Sequence, residues 1–292
     1  MILDITVNTI NNQIPLLEQY RVGKTVVGTY DDNRVPNDNE IVIIIGDYPV
    51  GEQSLFKNNP IRLNYKWALD IKYDVFEGDK AWNKLDSVYI INSDDRPDRL
   101  FEMLKELRRA NIPLTKVYRQ PAIFCNKTGN YYIDGNAGCS MAHIEILKRI
   151  INNVEKHSLI FEDDFTFSDP IQKNIDQVGE FFKRCYNYDV LLFATSAIGE
   201  IKPLDDIISF CHQPCTTMSG YTISLRGAIK ILPLFEESLS KLIETWDFNT
   251  YSCDRYWSKI QSDRTMFVLN NKMGYQRPAY SHTSKQIIYN LD

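Results

Sequence analysis

A chain of 292 residues with 43% hydrophobic and 12% aromatic content can bury a full core, which excludes a minimal peptide and a disordered tail. Its formal net charge of -5 and pI near 5.5 offer no general attraction for a polyphosphate backbone, so nucleic acid is not an expected partner. The opening Met1-Ile-Leu-Asp-Ile-Thr6 lacks the basic segment and cleavage site of a signal peptide. Apolar runs such as Ile41-Val-Ile-Ile-Ile45 fall far short of the roughly 18 residues a membrane span needs. A soluble cytoplasmic protein is expected.

Residues 1–84 read as a small α/β extension with two strand-like runs, Lys24-Thr-Val-Val-Gly-Thr-Tyr30 and Glu40-Ile-Val-Ile-Ile-Ile-Gly46, around a turn-rich polar stretch. No chemical motif stands out there. From 85 to 292 strands alternate with helices, which predicts a mostly parallel sheet flanked by helices. Ser87–Ile91 is the first strand, and a helix begins at Pro97, where a missing N–H costs nothing. Leu100, Met103, Leu104 and Leu107 mark its buried face. Thr115–Arg119 is a second strand. A further helix is expected after Gly138-Cys139, with Ser140 as its cap and Ile144, Leu147, Ile151 and Val154 as its stripe. Ser158-Leu-Ile-Phe161, Asp189–Ala194, Gly220–Ser224 and Met266–Leu269 read as later strands, with a helix from Arg226.

Six cysteines (Cys125, Cys139, Cys185, Cys211, Cys215, Cys253) are scattered without a framework, as expected of reduced thiols. Cys211, His212 and Cys215 suggest a zinc site, but no second ligand pair follows at finger-like spacing. The informative cluster is Glu162-Asp163-Asp164, three acids at the end of an apolar strand, where open α/β sheets bind ligands. Adjacent carboxylates repel unless a cation intervenes. In an extended chain Glu162 and Asp164 point to one side and Asp163 to the other, so the first two can address one hard ion, Mg²⁺ or Mn²⁺. The alternative is a solvated acidic loop.

Several segments in order resemble the family-25 glycosyltransferases of the lipopolysaccharide and collagen type. Val88-Tyr-Ile-Ile-Asn-Ser-Asp-Asp-Arg-Pro-Asp-Arg99 is similar to the family's opening strand with its two arginines. Gly138-Cys-Ser-Met-Ala-His143 resembles Gly-Cys-x-x-Ser-His, and Leu159-Ile-Phe-Glu-Asp-Asp164 the Glu-Asp-Asp strand. Ser219-Gly-Tyr-Thr-Ile-Ser-Leu-Arg-Gly-Ala228 and Gln276-Arg-Pro-Ala-Tyr-Ser281 complete the series. The resemblance implies a GT-A type α/β fold, a nucleotide-diphosphate sugar donor (commonly a UDP-hexose), Mn²⁺ or Mg²⁺, and inverting transfer to a hydroxyl of a glycan or protein acceptor. A cell-surface or viral glycan would fit; a viral member would work in the host cytoplasm.

Carried onto this chain, the resemblance makes Asp164 the first metal ligand, with Glu162 or Asp163 holding the ion or the ribose. Asn92, Arg96 and Arg99 are candidate donor contacts, the arginines as guanidinium forks on phosphate or base. His143 is placed in the first turn of its helix, facing the donor; Ala142 stands where relatives carry Ser. Asp254 is the candidate general base, with Asp247 as competitor. His282 occupies a position where relatives carry Asp and is a candidate metal ligand. A sugar nucleotidyltransferase would require a glycine-rich phosphate loop near Asn92, and none is there. A catalytically silent carbohydrate-binding or partner-binding module remains the alternative.

Overall fold

The structure is a computed structural model. It describes residues 80–113, 116–197, 201–211, 214–277, 279–281 and 286–288, and ahead of them only the strand segments 4–9, 27–28, 40–46 and 61–64. Those segments are β1 (Asp4–Thr9), β2 (Val27–Gly28), β3 (Glu40–Gly46) and β4 (Ile61–Asn64). They form an all-parallel sheet in the order β2-β1-β3-β4. The unbroken apolar run of β3 is the sequence pattern common in all-parallel sheets. Of the run expected over 24–30, only Val27–Gly28 lies within the described residues.

The larger sheet is built from β5 (Ser87–Asn92), β6 (Val117–Pro121), β7 (His157–Glu162), β9 (Val190–Leu192), β11 (Ile201–Pro203), β12 (Ile208–Cys211), β14 (Gly220–Ser224) and β15 (Met266–Leu269). Three short two-stranded sheets are separate from it: β8 (Phe165–Phe167) with β16 (Gly274–Gln276), β10 (Ser196–Ala197) with β13 (Cys215–Thr216), and β17 (Ala279–Ser281) with β18 (Gln286–Ile288). The eight strands run β11-β12-β15-β9-β14-β7-β5-β6. β6, β5 and β7 are mutually parallel, as are β9 and β15, but β14 is antiparallel to both its neighbours. The sheet is therefore mixed rather than mostly parallel. β12 is likewise antiparallel to both β15 and β11, and strand-helix alternation in the sequence cannot reveal that these two short strands enter reversed.

Helices α1 (Pro97–Arg109), α2 (Tyr131–Asn153), α3 (Ile171–Arg184) and α4 (Leu225–Thr245) cover the two faces, followed by the short α5 (Phe248–Tyr251) and α6 (Cys253–Tyr256). Strand side chains alternate between two cores, as a period of two requires. Val88, Ile90, Leu159 and Phe161 pack with Leu107, Val178 and Phe181 of α1 and α3. Tyr89, Ile91 and Ile160 pack with Leu147, Ile150, Ile231 and Phe235 of α2 and α4. Each such fully buried side chain contributes about 1.5–3 kcal/mol.

Two helix starts position the site. Pro97 opens α1 as expected, with Leu100, Phe101, Met103, Leu104 and Leu107 buried. α2 begins eight residues before Cys139, because the Asn130 side chain accepts from Tyr132 N (3.1 Å) and Ile133 N (3.3 Å). Ser140 is not a cap; it lies within the helix, its hydroxyl donating back to Asn136 O at 2.9 Å. Gly138 survives inside α2 because a Cβ there would stand 2.1 Å from Ile123 O, so the helix needs glycine to pass under that strand exit.

Candidate active site

Four parts of the chain meet at the carboxyl end of β7. β7 stops at Glu162 and the chain turns at Asp163 and Asp164 before β8. The turn is tied down: Glu162 N donates to Ser219 O (2.9 Å) and Asp163 N to Ile91 O (3.1 Å). β5, parallel beside β7, ends at the same level with Asn92. The alternation that would have paired Glu162 with Asp164 therefore ends one residue too early. Asp163 and Asp164 act together instead, and Glu162 faces the other way, toward α2.

Arg99, one turn into α1, bridges the two aspartates, with Nη1 at 3.0 Å from Asp163 Oδ1 and Nη2 at 2.7 Å from Asp164 Oδ2. Asn92 Nδ2 donates to Asp163 Oδ2 at 2.7 Å and to Arg96 O at 2.9 Å. Arg119 in turn holds Asn92, its Nε donating to Oδ1 at 3.1 Å. From the far end of the chain, Gln276 Nε2 reaches Asp164 Oδ2 (3.1 Å), Arg277 N donates to Asp164 O (2.7 Å) and Arg277 Nη2 to Asp163 O (2.7 Å). Asp164 Oδ1 is buried and has no hydrogen-bond partner.

The structure thus brings Asn92, Arg99, Asp163 and Asp164 together, while the Arg96 guanidinium is engaged bidentately by Asp98 at 2.9 and 2.7 Å. His143 is in the interior of α2, thirteenth in the helix, so the free N–H groups of a first turn are not beside it. It is fully buried, with Nδ1 at 2.9 Å from Tyr221 Oη and Nε2 at 3.6 Å from Glu162 Oε1. Cys139, one turn earlier, donates its thiol to the same Glu162 oxygen at 3.4 Å. Asp247 is the exposed cap of α5, accepting from Thr250 N at 3.1 Å. Asp254, half-buried in α6, accepts from Thr217 N at 3.3 Å. Thr217 holds a φ of 81°, a costly value for a β-branched residue, and shares a small cleft with Ser196, Tyr275 and Gln276. Two of its lining residues contact the acids, Thr217 meeting Asp254 and Gln276 meeting Asp164. His282 lies outside the described residues, as does His212 of the Cys211 and Cys215 pair, whose thiols are buried side by side.

Sequence reasoning missed Arg119, Arg277, Tyr221 and the Cys139 contact. All four act across more than twenty positions in sequence, or through backbone groups, and leave no local pattern.

Burial dominates the electrostatics. It pushes Asp163 up to about 7 against the opposing pull of Arg99, and raises Asp164 too, with the Glu162 charge adding to the rise. Burial also works on Glu162, but His143 and the Cys139 thiol outweigh it and hold that carboxylate below its usual range. The Cys253 thiol hydrogen-bonded to Cys139, and then burial, push Cys139 well above the ordinary thiol range. An acid whose folded-state pKa is raised favours the fold while protonated, and that contribution is lost as pH climbs from about 4 through about 7. In chelator-treated protein, wild type is expected to lose stability relative to Asp163→Asn between pH 5 and pH 8. Urea midpoints at the two pH values measure this, and parallel behaviour of the two proteins would refute it.

The donor set suits a hard divalent ion. Asp164 Oδ1 is an orphaned carboxylate oxygen, and Mg²⁺ or Mn²⁺ typically takes one or two carboxylates plus substrate phosphates. Removing such an oxygen from water without a partner is costly, so a bound cation would relieve a real deficit.

Residues 121–248 match the family described as Glycosyltransferase family 25 (LPS biosynthesis protein), a span that holds α2 and the three acids but neither Arg99 nor Asp254. Similar proteins include three named Glycosyltransferase 25 family member. The one from Drosophila pseudoobscura pseudoobscura is 26% identical over 64% of this chain and 33% of that protein. The Drosophila melanogaster protein is 28% identical over 44% and 21%, and the Anopheles gambiae protein 24% over 70% and 39%. The match thus spans between about a fifth and two fifths of the length of these relatives. Among solved structures, a mannose-1-phosphate geranyltransferase from Thermus thermophilus superposes with a TM-score of 0.39 at 10% identity, covering 64% of this chain and 73% of that one. Among the described residues no helix is long and apolar enough to cross a membrane.

Proposed function

We propose that this chain, a relative of the family-25 glycosyltransferases, moves a hexose from a nucleotide-diphosphate sugar, a UDP-sugar, to a hydroxyl of a glycan or protein acceptor, with inversion and with Mn²⁺ or Mg²⁺ bound. The observation that carries the reading is the unpartnered Asp164 oxygen at the end of β7, ringed by Arg99, Gln276 and Arg277. The fold is the mixed α/β sheet expected of a GT-A enzyme, with its acids where such sheets bind nucleotides.

Asp164 would hold the ion, which when bound neutralises charge building on the departing diphosphate. Arg99 supplies a second positive group at the same place, its fork oriented by Asp163, and Asn92 fixes Asp163. Asp254, which accepts from Thr217 N, would take the acceptor's proton. Beside it Tyr132 and Phe248 meet edge to face at 5.0 Å, with Arg255 over Phe248, and Tyr132 is 38% exposed. These rings form a ledge on which the apolar face of an acceptor sugar can rest.

One observation favours the rival reading of a silent binding module: Arg99 already neutralises both aspartates without any ion. The two readings part in a panel of nucleotide sugars assayed for released nucleotide with Mn²⁺ and with chelator. Transfer or slow hydrolysis of one donor, dependent on the ion and giving product of inverted anomeric configuration by NMR, is the expected result. No turnover of any donor, with carbohydrate binding retained, would establish the module instead.

A further inference from the structure

We propose that Cys139, His143, Glu162 and Cys253 form a zinc site, separate from the hard-cation position at Asp164. Cys139 and His143 stand four residues apart on one face of α2, and Glu162 closes β7 opposite them. One donor atom from each of the three lies within 4.8 Å of the others.

The spacing is that of a coordination shell. Zinc bonds of about 2.0–2.2 Å to nitrogen and oxygen and about 2.3 Å to sulfur, set at tetrahedral angles, put neighbouring donors roughly 3.3–3.8 Å apart. Cys139 Sγ is 3.4 Å and His143 Nε2 3.6 Å from Glu162 Oε1. Independently, His143 Nε2 is buried without a hydrogen-bond partner although it faces this cluster. Its other nitrogen is fixed by Tyr221 Oη at 2.9 Å, the outer-sphere contact that orients a metal-bound imidazole. Cys253, buried at the start of α6 with its thiol beside that of Cys139, lies outside this 4.8 Å set and would move inward to serve as the fourth donor.

Two thiolates, an imidazole and a carboxylate select zinc over Mg²⁺ or Mn²⁺, which prefer the all-oxygen surroundings of Asp164. Four protein ligands leave no open position, so this ion would be structural. It would pin α2 and α6 to the end of β7 and thereby fix Asp254, the residue after Cys253. Both thiols give up their protons to solvent on binding, so zinc should be held less tightly as pH falls.

Metal analysis of the full chain, expressed with zinc and desalted, tests the site without reference to activity. One zinc per chain is expected, retained in Asp164→Ala and lost in Cys139→Ser and His143→Asn. Replacement of zinc by cobalt should give a thiolate-to-cobalt charge-transfer band in the wild-type chain. This second readout needs no variant and holds even if Cys139→Ser fails to fold. Zinc far below stoichiometry after refolding with the metal, a cobalt form without the thiolate band, or loss of zinc in Asp164→Ala would each overturn the proposal.

Discussion

Asp164→Ala should lower sugar transfer about a thousandfold or more while leaving the fold intact. The variant removes a carboxylate whose buried Oδ1 has no hydrogen-bond partner and is open to an ion, and charge stabilisation of a leaving diphosphate is worth several kcal/mol. At about 1.4 kcal/mol per factor of ten, a loss near 4 kcal/mol gives that figure. Stability should change little, because the substitution also removes a buried charge whose pKa is raised, and Arg99 keeps Asp163 at 3.0 Å. Steady-state kinetics at saturating Mn²⁺, beside a thermal melt, make the comparison. Activity within threefold of wild type would remove Asp164 from the chemistry.

Arg99→Ala is expected to cost about 3–5 kcal/mol in metal-free protein, because it strands two buried carboxylates at once. The loss should be greater at pH 8 than at pH 5.5. Asp163, already pushed up to about 7, can protonate at the lower pH and escape part of the penalty. Mn²⁺ should restore some of the loss by replacing the missing positive charge, and by more than it stabilises wild type. Chemical denaturation of both proteins, with chelator and with Mn²⁺, reads all three effects. A destabilisation under 1 kcal/mol, or indifference of the variant to Mn²⁺, would mean that Arg99 does not neutralise the acids in solution.

The local parts of this picture were legible in the residues themselves. The apolar run to Phe161 followed by three acids placed the site at a strand end, and the leucine spacing after Pro97 gave α1 and its buried face. What failed did so for identifiable reasons. The start of α2 was missed because two internal glycines look like a loop; only the close approach of Ile123 O to Gly138 shows why glycine is needed there. That error moved His143 from a helix interior to a helix start and gave it the wrong neighbours. The pairing of the acids was misjudged because alternation holds only while the backbone stays extended, and β7 ends at Glu162. The Arg99 fork was foreseen as a phosphate contact, but its grip on Asp163 and Asp164 depends on a tertiary approach that no spacing encodes.

Asp164 takes its side-chain partners from 65 residues upstream, at Arg99, and 112 residues downstream, at Gln276. Loops that long are closed late, since their entropy must be met before the contacts form. A ribosome-bound chain halted before Gly274 could assemble β5, β7 and most of both cores yet carry an aspartate pair uncollared on one side. Competence would arrive only once Gln276 and Arg277 had emerged, so that a chain stopped short of them would be folded but idle.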